Sequence, residues 1–96
     1  ESQVILNGSY NINFTMDLVL KDTGLFDDLA KKLDAPLELS PKVVEIFKDG
    51  QKKYGSRAWS SMIVKRMEDL NNIDFRASGF PSELTDNEPE EKGYEI

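Results

Sequence analysis

From Asn13 onward the apolar residues fall into a helical rhythm. Phe14, Leu18, Val19, Leu25, Phe26, Leu29, Ala30 and Leu33 recur at spacings of three, four and seven, the period of an amphipathic helix. The spacing predicts a first long helix over 14–34, with Asn13 as its N-cap and Pro36 as its stop, because proline disfavours helical geometry in the residue before it. Ser40-Pro41 opens a second, over 41–54. Serine can accept a hydrogen bond from an orphan amide, and proline suits the first helical position. Val43, Val44, Phe47, Gly50 and Tyr54 form its stripe, and Gly55 is placed to end it with a positive φ. A third helix is predicted over 57–70, where Trp59, Met62, Ile63, Met67 and Leu70 repeat the spacing before Asn71-Asn72.

The flanks are less periodic. Val4, Ile5 and Leu6 precede the turn-prone Asn7-Gly8-Ser9, so residues 1–12 stay open at this level. Ile73, Phe75, Phe80 and Pro81 can form a short strap over the bundle. No repeat is present, and no alternating run is long enough for a sheet. The fold class is all-α: a small three-helix bundle in a domain spanning 1–80, followed by an acidic, solvated tail over 81–96 with the composition of a disordered segment.

Composition narrows the possible chemistry. A chain of 96 residues holds one domain. No apolar run approaches the roughly 20 residues of a spanning helix, and the N-terminus lacks the pattern of a signal peptide, so no membrane role and a cytoplasmic location are expected. With no cysteine or histidine, thiolate catalysis, the usual hydrolase base and the commonest metal ligands are gone, and no metal site is expected. Of the net charge of −6 at pH 7, the tail supplies most, through Glu83, Asp86, Glu88, Glu90, Glu91 and Glu95 against Lys92. A nearly neutral remainder argues against nucleic acid, which demands a concentrated basic surface.

The informative anomaly lies in the first helix. At 100° per residue, Asp22 falls in the middle of the arc formed by Phe14, Leu18, Leu25, Leu29 and Leu33. A carboxylate in a buried stripe needs partners or a polar cleft; capping a neighbouring helix or pairing with a cation is the plain alternative to a functional role. Lys21 sits on the rim, where a snorkelling surface lysine is equally ordinary. Gly24 costs about 1 kcal/mol relative to alanine in mid-helix, which points to close approach by another backbone or a ligand. Phe14, two turns before Lys21, either lines an apolar wall beside the ammonium or is plain core.

These residues also carry a resemblance. Phe14 followed by Lys21-Asp22-Thr23-Gly24-Leu25-Phe26-Asp27-Asp28 resembles the F…KDLGLAxD segment of the 3-hydroxyisobutyrate dehydrogenase family of β-hydroxyacid dehydrogenases. Ala35-Pro36-Leu37, Ile46-Phe47 and Gly55-Ser56-Arg57-Ala58-Trp59-Ser60-Ser61 are similar to later stretches of that family's C-terminal helical domain. The likeness covers about residues 10–70. Thr23, Phe26, Phe47 and Ala58 depart from the family's leucine, small residue, tyrosine and aspartate; the last change questions a capping role that Ser56 is placed to assume.

The resemblance implies a helical domain that closes over a separate Rossmann domain, in an enzyme moving hydride between a small β-hydroxyacid and NAD or NADP. No glycine fingerprint follows a strand and no glycine-rich catalytic-lysine segment is present. The chain therefore reads as a C-terminal fragment that carries no catalytic residue of its own and is inactive alone. By resemblance, Lys21 is the cofactor contact, Asp22 supports it, Gly24 lies beside them and Phe14 closes the substrate side. The domain is also expected to form the main surface of a dimer or tetramer. The alternatives are a non-catalytic helical dimerisation or interaction module and, from Asn7-Gly8-Ser9 and Asn13-Phe14-Thr15, a secreted glycoprotein.

Overall fold

The computed structural model describes residues 1–83 and 85–93. Its elements are α1 (Ser2–Leu6), α2 (Met16–Lys32), α3 (Ser40–Tyr54), a 3-10 turn (Ser60–Met62) and α4 (Ile63–Asn71). No strand occurs among the described residues, and the all-α class stands. Part of the region read as an acidic tail, positions 84 and 94–96, lies outside the described residues.

The first helix is shorter than the spacing predicts because its start is set by tertiary contacts. Asn13 is not the cap: it has φ 57°, and α2 begins after Thr15. Thr15 pairs with Trp59 in an isolated antiparallel bridge. The orphan amides of Met16 and Asp17 donate to the carbonyls of Ala58 and Ser56, at 2.9 and 3.1 Å. A turn from the far side of α3 thus does the work usually done by a capping side chain. It also explains why Trp59 is extended rather than helical, with ψ 139°, and why α4 starts at Ile63 instead of 57. Ser56 does not cap through its side chain; its hydroxyl accepts from Gln51 Nε2 at 3.0 Å.

At the other end of α2, Asp34 takes φ 52° and the Ala35 amide donates to the Ala30 carbonyl at 2.9 Å, closing the helix just before Pro36. Ser40 departs from expectation. Its hydroxyl caps no amide but donates to Asp27 Oδ1 at 2.5 Å, tying the start of α3 to the middle of α2. Gly55, with φ 101°, ends α3, and Asn72, left-handed at φ 58°, ends α4.

The core is small. Among the described residues, Val4, Tyr10, Met16 and Ala30 are its buried apolar members, joined by Thr15, Ser61 and Glu68. Segment 73–83 and Thr85 lie along α1: the Ala77 amide donates to the Leu6 carbonyl at 3.1 Å, Asn7 Nδ2 to the Pro81 carbonyl at 2.8 Å, and Gln3 Nε2 to the Thr85 carbonyl at 2.8 Å. The radius of gyration is 16.5 Å, against about 12.5 Å for a compact domain of this length. The chain is spread out over a core too small to close it.

Candidate functional site

Three faces of α2 have separate fates. One packs on α3 and contains the buried Met16 and Ala30. A second carries the predicted apolar stripe, and it is not buried: Leu25 is 61% exposed, Phe26 56%, Leu29 54% and Leu33 69%. Asp22 lies on that face, as the 100° step requires, but in solvent. The expected burial cost does not arise. Asp22 forms no ion pair or side-chain hydrogen bond among the described residues, so it neither caps a helix nor pairs with a cation here.

The third face lines a groove. Asp17, Leu20, Lys21, Gly24, Asp27, Asp28 and Lys31 of α2 stand opposite Val44, Lys48 and Gln51 of α3, around a volume of about 420 Å³. Lys21 and Gly24 are therefore brought together, one turn apart on one wall. Phe14 is not part of that wall. It precedes α2 as a half-exposed residue whose carbonyl accepts from the Ser60 amide at 2.7 Å, so it holds the Trp59 turn rather than the lysine.

Gly24 separates the two reasons for a glycine in mid-helix. A Cβ built there meets nothing within 4 Å, whereas one at Gly50 would come within 2.8 Å of Ile63 Cδ1 and 3.0 Å of Met16 Sδ. Gly50 is glycine because α3 and its neighbours are close-packed. Gly24 instead opens onto free groove volume.

The groove's charges are unequally engaged. Asp17 accepts from the Thr15 hydroxyl and lies 3.5 Å from Arg57; the Thr15 hydrogen bond, with the Arg57 charge behind it, holds its carboxyl below the usual carboxylate value. Asp27 accepts from Ser40. Two of the three carboxylates are thus committed elsewhere, while Lys21, Lys31 and Lys48 form no ion pair among the described residues. Lys31, Lys48 and Gln51 were not candidates by sequence, because their register against Lys21 depends on how α3 lies on α2.

A larger cleft of about 590 Å³ lies between α3 and α4, lined by Lys42, Glu45, Ile46, Asp49, Lys53 and Arg66. Its charges satisfy one another. Asp49 takes Arg66 Nε at 2.5 Å and Lys53 Nζ at 3.2 Å, contacts led by Arg66 that hold its carboxyl below the ordinary range, and Lys42 pairs with Glu45 at 3.3 Å. A self-neutralised cleft offers a ligand less than the α2/α3 groove does. No cluster of three or more potential metal ligands occurs among the described residues, and none of their helices is long and apolar enough to cross a membrane.

Neither the curated proteins nor the solved structures contain a match to the chain. Residues 2–67 do match the family model described as NAD-binding of NADP-dependent 3-hydroxyisobutyrate dehydrogenase. That span is well over half of the chain and contains α1, α2, α3, the Trp59 turn and both walls of the lysine groove; the chain belongs to this family of NAD(P)-dependent dehydrogenases.

Proposed function

We propose that the chain is the helical, cleft-closing domain of an NAD(P)-dependent β-hydroxyacid dehydrogenase, and that the α2/α3 groove is the part that meets the cofactor. The observation carrying this reading is Lys21 beside Gly24: an ammonium with no ion pair among the described residues, next to a helical glycine whose missing side chain leaves space and not a packed contact. A volume of about 420 Å³ lies within the range of small-molecule sites. It suits part of a dinucleotide, the remainder resting on a Rossmann domain.

The nicotinamide, when bound, supplies the hydride acceptor or donor for the CH–OH group of a small β-hydroxyacid. The chain's own residues bind and orient. Lys21 donates hydrogen bonds to cofactor oxygens and adds positive potential beside a substrate carboxylate. Gly24 lets the ligand approach the helix backbone. Asp22, on the neighbouring face, belongs to whatever surface covers the exposed stripe. A reducing, cytoplasmic setting is part of the same proposal, supported by the cysteine-free sequence.

The exposed stripe of Leu18, Leu25, Phe26, Leu29 and Leu33 supports a second role in self-association, since a contiguous apolar face of this kind on a small domain marks a contact surface. The dehydrogenase reading is tested at the gene: the coding sequence upstream of Glu1 is read for a Rossmann glycine fingerprint and a glycine-rich lysine segment. Their absence from the preceding roughly 200 residues defeats it and leaves the non-catalytic interaction module.

A further inference from the structure

We infer that Asn7 is a site of spontaneous covalent modification, deamidation at the Asn7-Gly8 bond, and that its conversion unfastens the strap of residues 73–83 from α1. This chemistry is independent of any cofactor.

The fold demands both residues of the pair. Gly8 turns the chain after α1 with φ +81°, and a Cβ there would lie 2.6 Å from Arg76 Nε, so the turn and the inserted guanidinium exclude a larger residue. Asn7 works through both ends of its amide. Oδ1 accepts from the Ser9 amide at 2.7 Å, and Nδ2 donates to the Pro81 carbonyl at 2.8 Å, fastening the strap. Asparagine before glycine is also the arrangement most prone to cyclise, because no Cβ shields the second residue's backbone nitrogen from the carboxamide. The other asparagines precede Ile12, Phe14, Asn72, Ile73 and Glu88, whose side chains hinder that approach.

The reaction needs only water. The Gly8 nitrogen loses its proton to solvent and attacks Asn7 Cγ; the N–Cγ bond forms, the Cγ–Nδ2 bond breaks, and ammonia leaves with a proton from solvent. One water then opens the cyclic imide. Cleavage at Cγ gives aspartate, and cleavage at the backbone carbonyl carbon gives isoaspartate, whose main chain runs through Cγ and is longer by one carbon. Water enters, ammonia leaves, and nothing is oxidised or reduced.

The docked strap opposes each step. The Gly8 amide is engaged with the Ile5 carbonyl at 3.1 Å, and Asn7 holds helical angles, φ −85° and ψ −12°, which it must abandon before the ring can close. Its carboxamide is fixed between Ser9 and Pro81. Cyclisation therefore waits for Pro81 to let go. Once converted, Asn7 presents carboxylate oxygens to the Pro81 carbonyl, two acceptors with no proton between them, so the strap does not refasten there. Isoaspartate also displaces Gly8 against Arg76, the side chain that donates to the Ile5 carbonyl at 3.2 Å and the Tyr10 hydroxyl at 2.7 Å.

The test is incubation of the 96-residue chain at neutral pH, followed by peptide mapping with mass spectrometry and isoaspartate detection. Asn7 is expected to gain the single mass unit of amide-to-acid conversion while the other asparagines remain amides. The folded chain is expected to react about tenfold more slowly than the chain in urea. Arg76→Gln removes the strap's guanidinium anchor but keeps the Asn7-Gly8 sequence, and is expected to convert several-fold faster than the parent. Asn7→Asp, which stands for the aspartyl product, is expected to quicken hydrogen exchange several-fold at the Ala77 amide, while Asn11→Asp leaves it unchanged. A folded chain in which Asn7 outlasts the other asparagines overturns the site. Equal rates in the folded chain and in urea, or in the parent and Arg76→Gln, overturn the strap's control of it. Unchanged exchange at Ala77 in Asn7→Asp overturns the unfastening.

Discussion

The Tyr10 hydroxyl donates to Glu68 Oε1 at 2.7 Å, joining residues 58 positions apart. Arg76 completes the cluster, donating from Nη1 to Glu68 at 3.1 Å and from Nη2 to the Tyr10 oxygen at 2.7 Å, with its guanidinium 5.1 Å from the Tyr10 ring centroid. Glu68 is 1% exposed. One carboxylate thus binds the segment after α1, the helix α4 and the strap that follows it, and does so where the apolar core is too thin to serve.

Removing the phenol hydroxyl leaves that buried carboxylate with fewer donors. Tyr10→Phe is expected to cost about 1–3 kcal/mol, read as a lower urea midpoint with unchanged slope. Hydrogen exchange is expected to quicken at Ala77, whose amide is bonded to Leu6 in the strap. A loss below about 0.5 kcal/mol would deny the cluster its structural role.

The same cluster sets an acid limit. Burial raises the Glu68 carboxyl, but hydrogen bonds from Tyr10 and Arg76 and the Arg76 charge outweigh it and hold the group below its ordinary 4.5. A folded value below the unfolded one gives stability that is complete above about 4.5 and drains as pH falls through the folded value. Glu68→Gln is therefore expected to flatten the acid limb of the stability profile while lowering the neutral plateau. At the alkaline end the sign reverses. Burial and the hydrogen bond to Asp69 push Tyr54 up from 10.0 to about 12, so its contribution is intact below 10 and lost as pH rises through 12. In an absorbance titration of the three tyrosines, Tyr54→Phe removes a late-ionising phenol.

How far the sequence reveals this molecule depends on which contacts made each feature. The stripe on α2 and the stops at Gly55 and Asn72 follow from local geometry, so spacing and turn chemistry locate them. The start of α2 does not, because the bonds from Met16 to Ala58 and from Asp17 to Ser56 join segments some forty residues apart. Asp22 shows the same divide: periodicity places it correctly among apolar residues, yet whether that face is covered is a question about partners. Lys21 and Gly24 were legible through a motif. Lys48 was not, since only the packing of α3 on α2 brings it opposite.

If the stripe is a contact surface for a second copy, a charge in its centre should abolish association without harming the fold. Phe26→Glu combined with Leu29→Glu alters two side chains that are already more than half exposed, so helicity and urea midpoint are expected to stay within about 0.5 kcal/mol of the parent. Sedimentation is expected to shift from dimer or larger to monomer. A parent chain that sediments as a monomer across the micromolar range removes self-association from the proposal and leaves the stripe to a different protein surface.

One substitution made at two glycines gives opposite signs if the groove reading is correct. Gly24 and Gly50 both interrupt helices, and each gives up about 0.5–1 kcal/mol of helix propensity relative to a good helix former. At Gly50 that gain is out of reach: the first added carbon already lies within 3.0 Å of Ile63 Cδ1 and Met16 Sδ, so Gly50→Leu is expected to overpack the α3 contact and destabilise by about 1–3 kcal/mol. At Gly24 the new side chain enters open space, and Gly24→Leu is expected to raise the urea midpoint. The cost appears elsewhere, because leucine fills the volume beside Lys21, and the full-length enzyme's affinity for NAD(P)H should fall several-fold in the more stable protein. Stability gained together with binding lost distinguishes a ligand groove from a packing defect. Stability gained with affinity intact would mean that nothing needs the space at Gly24.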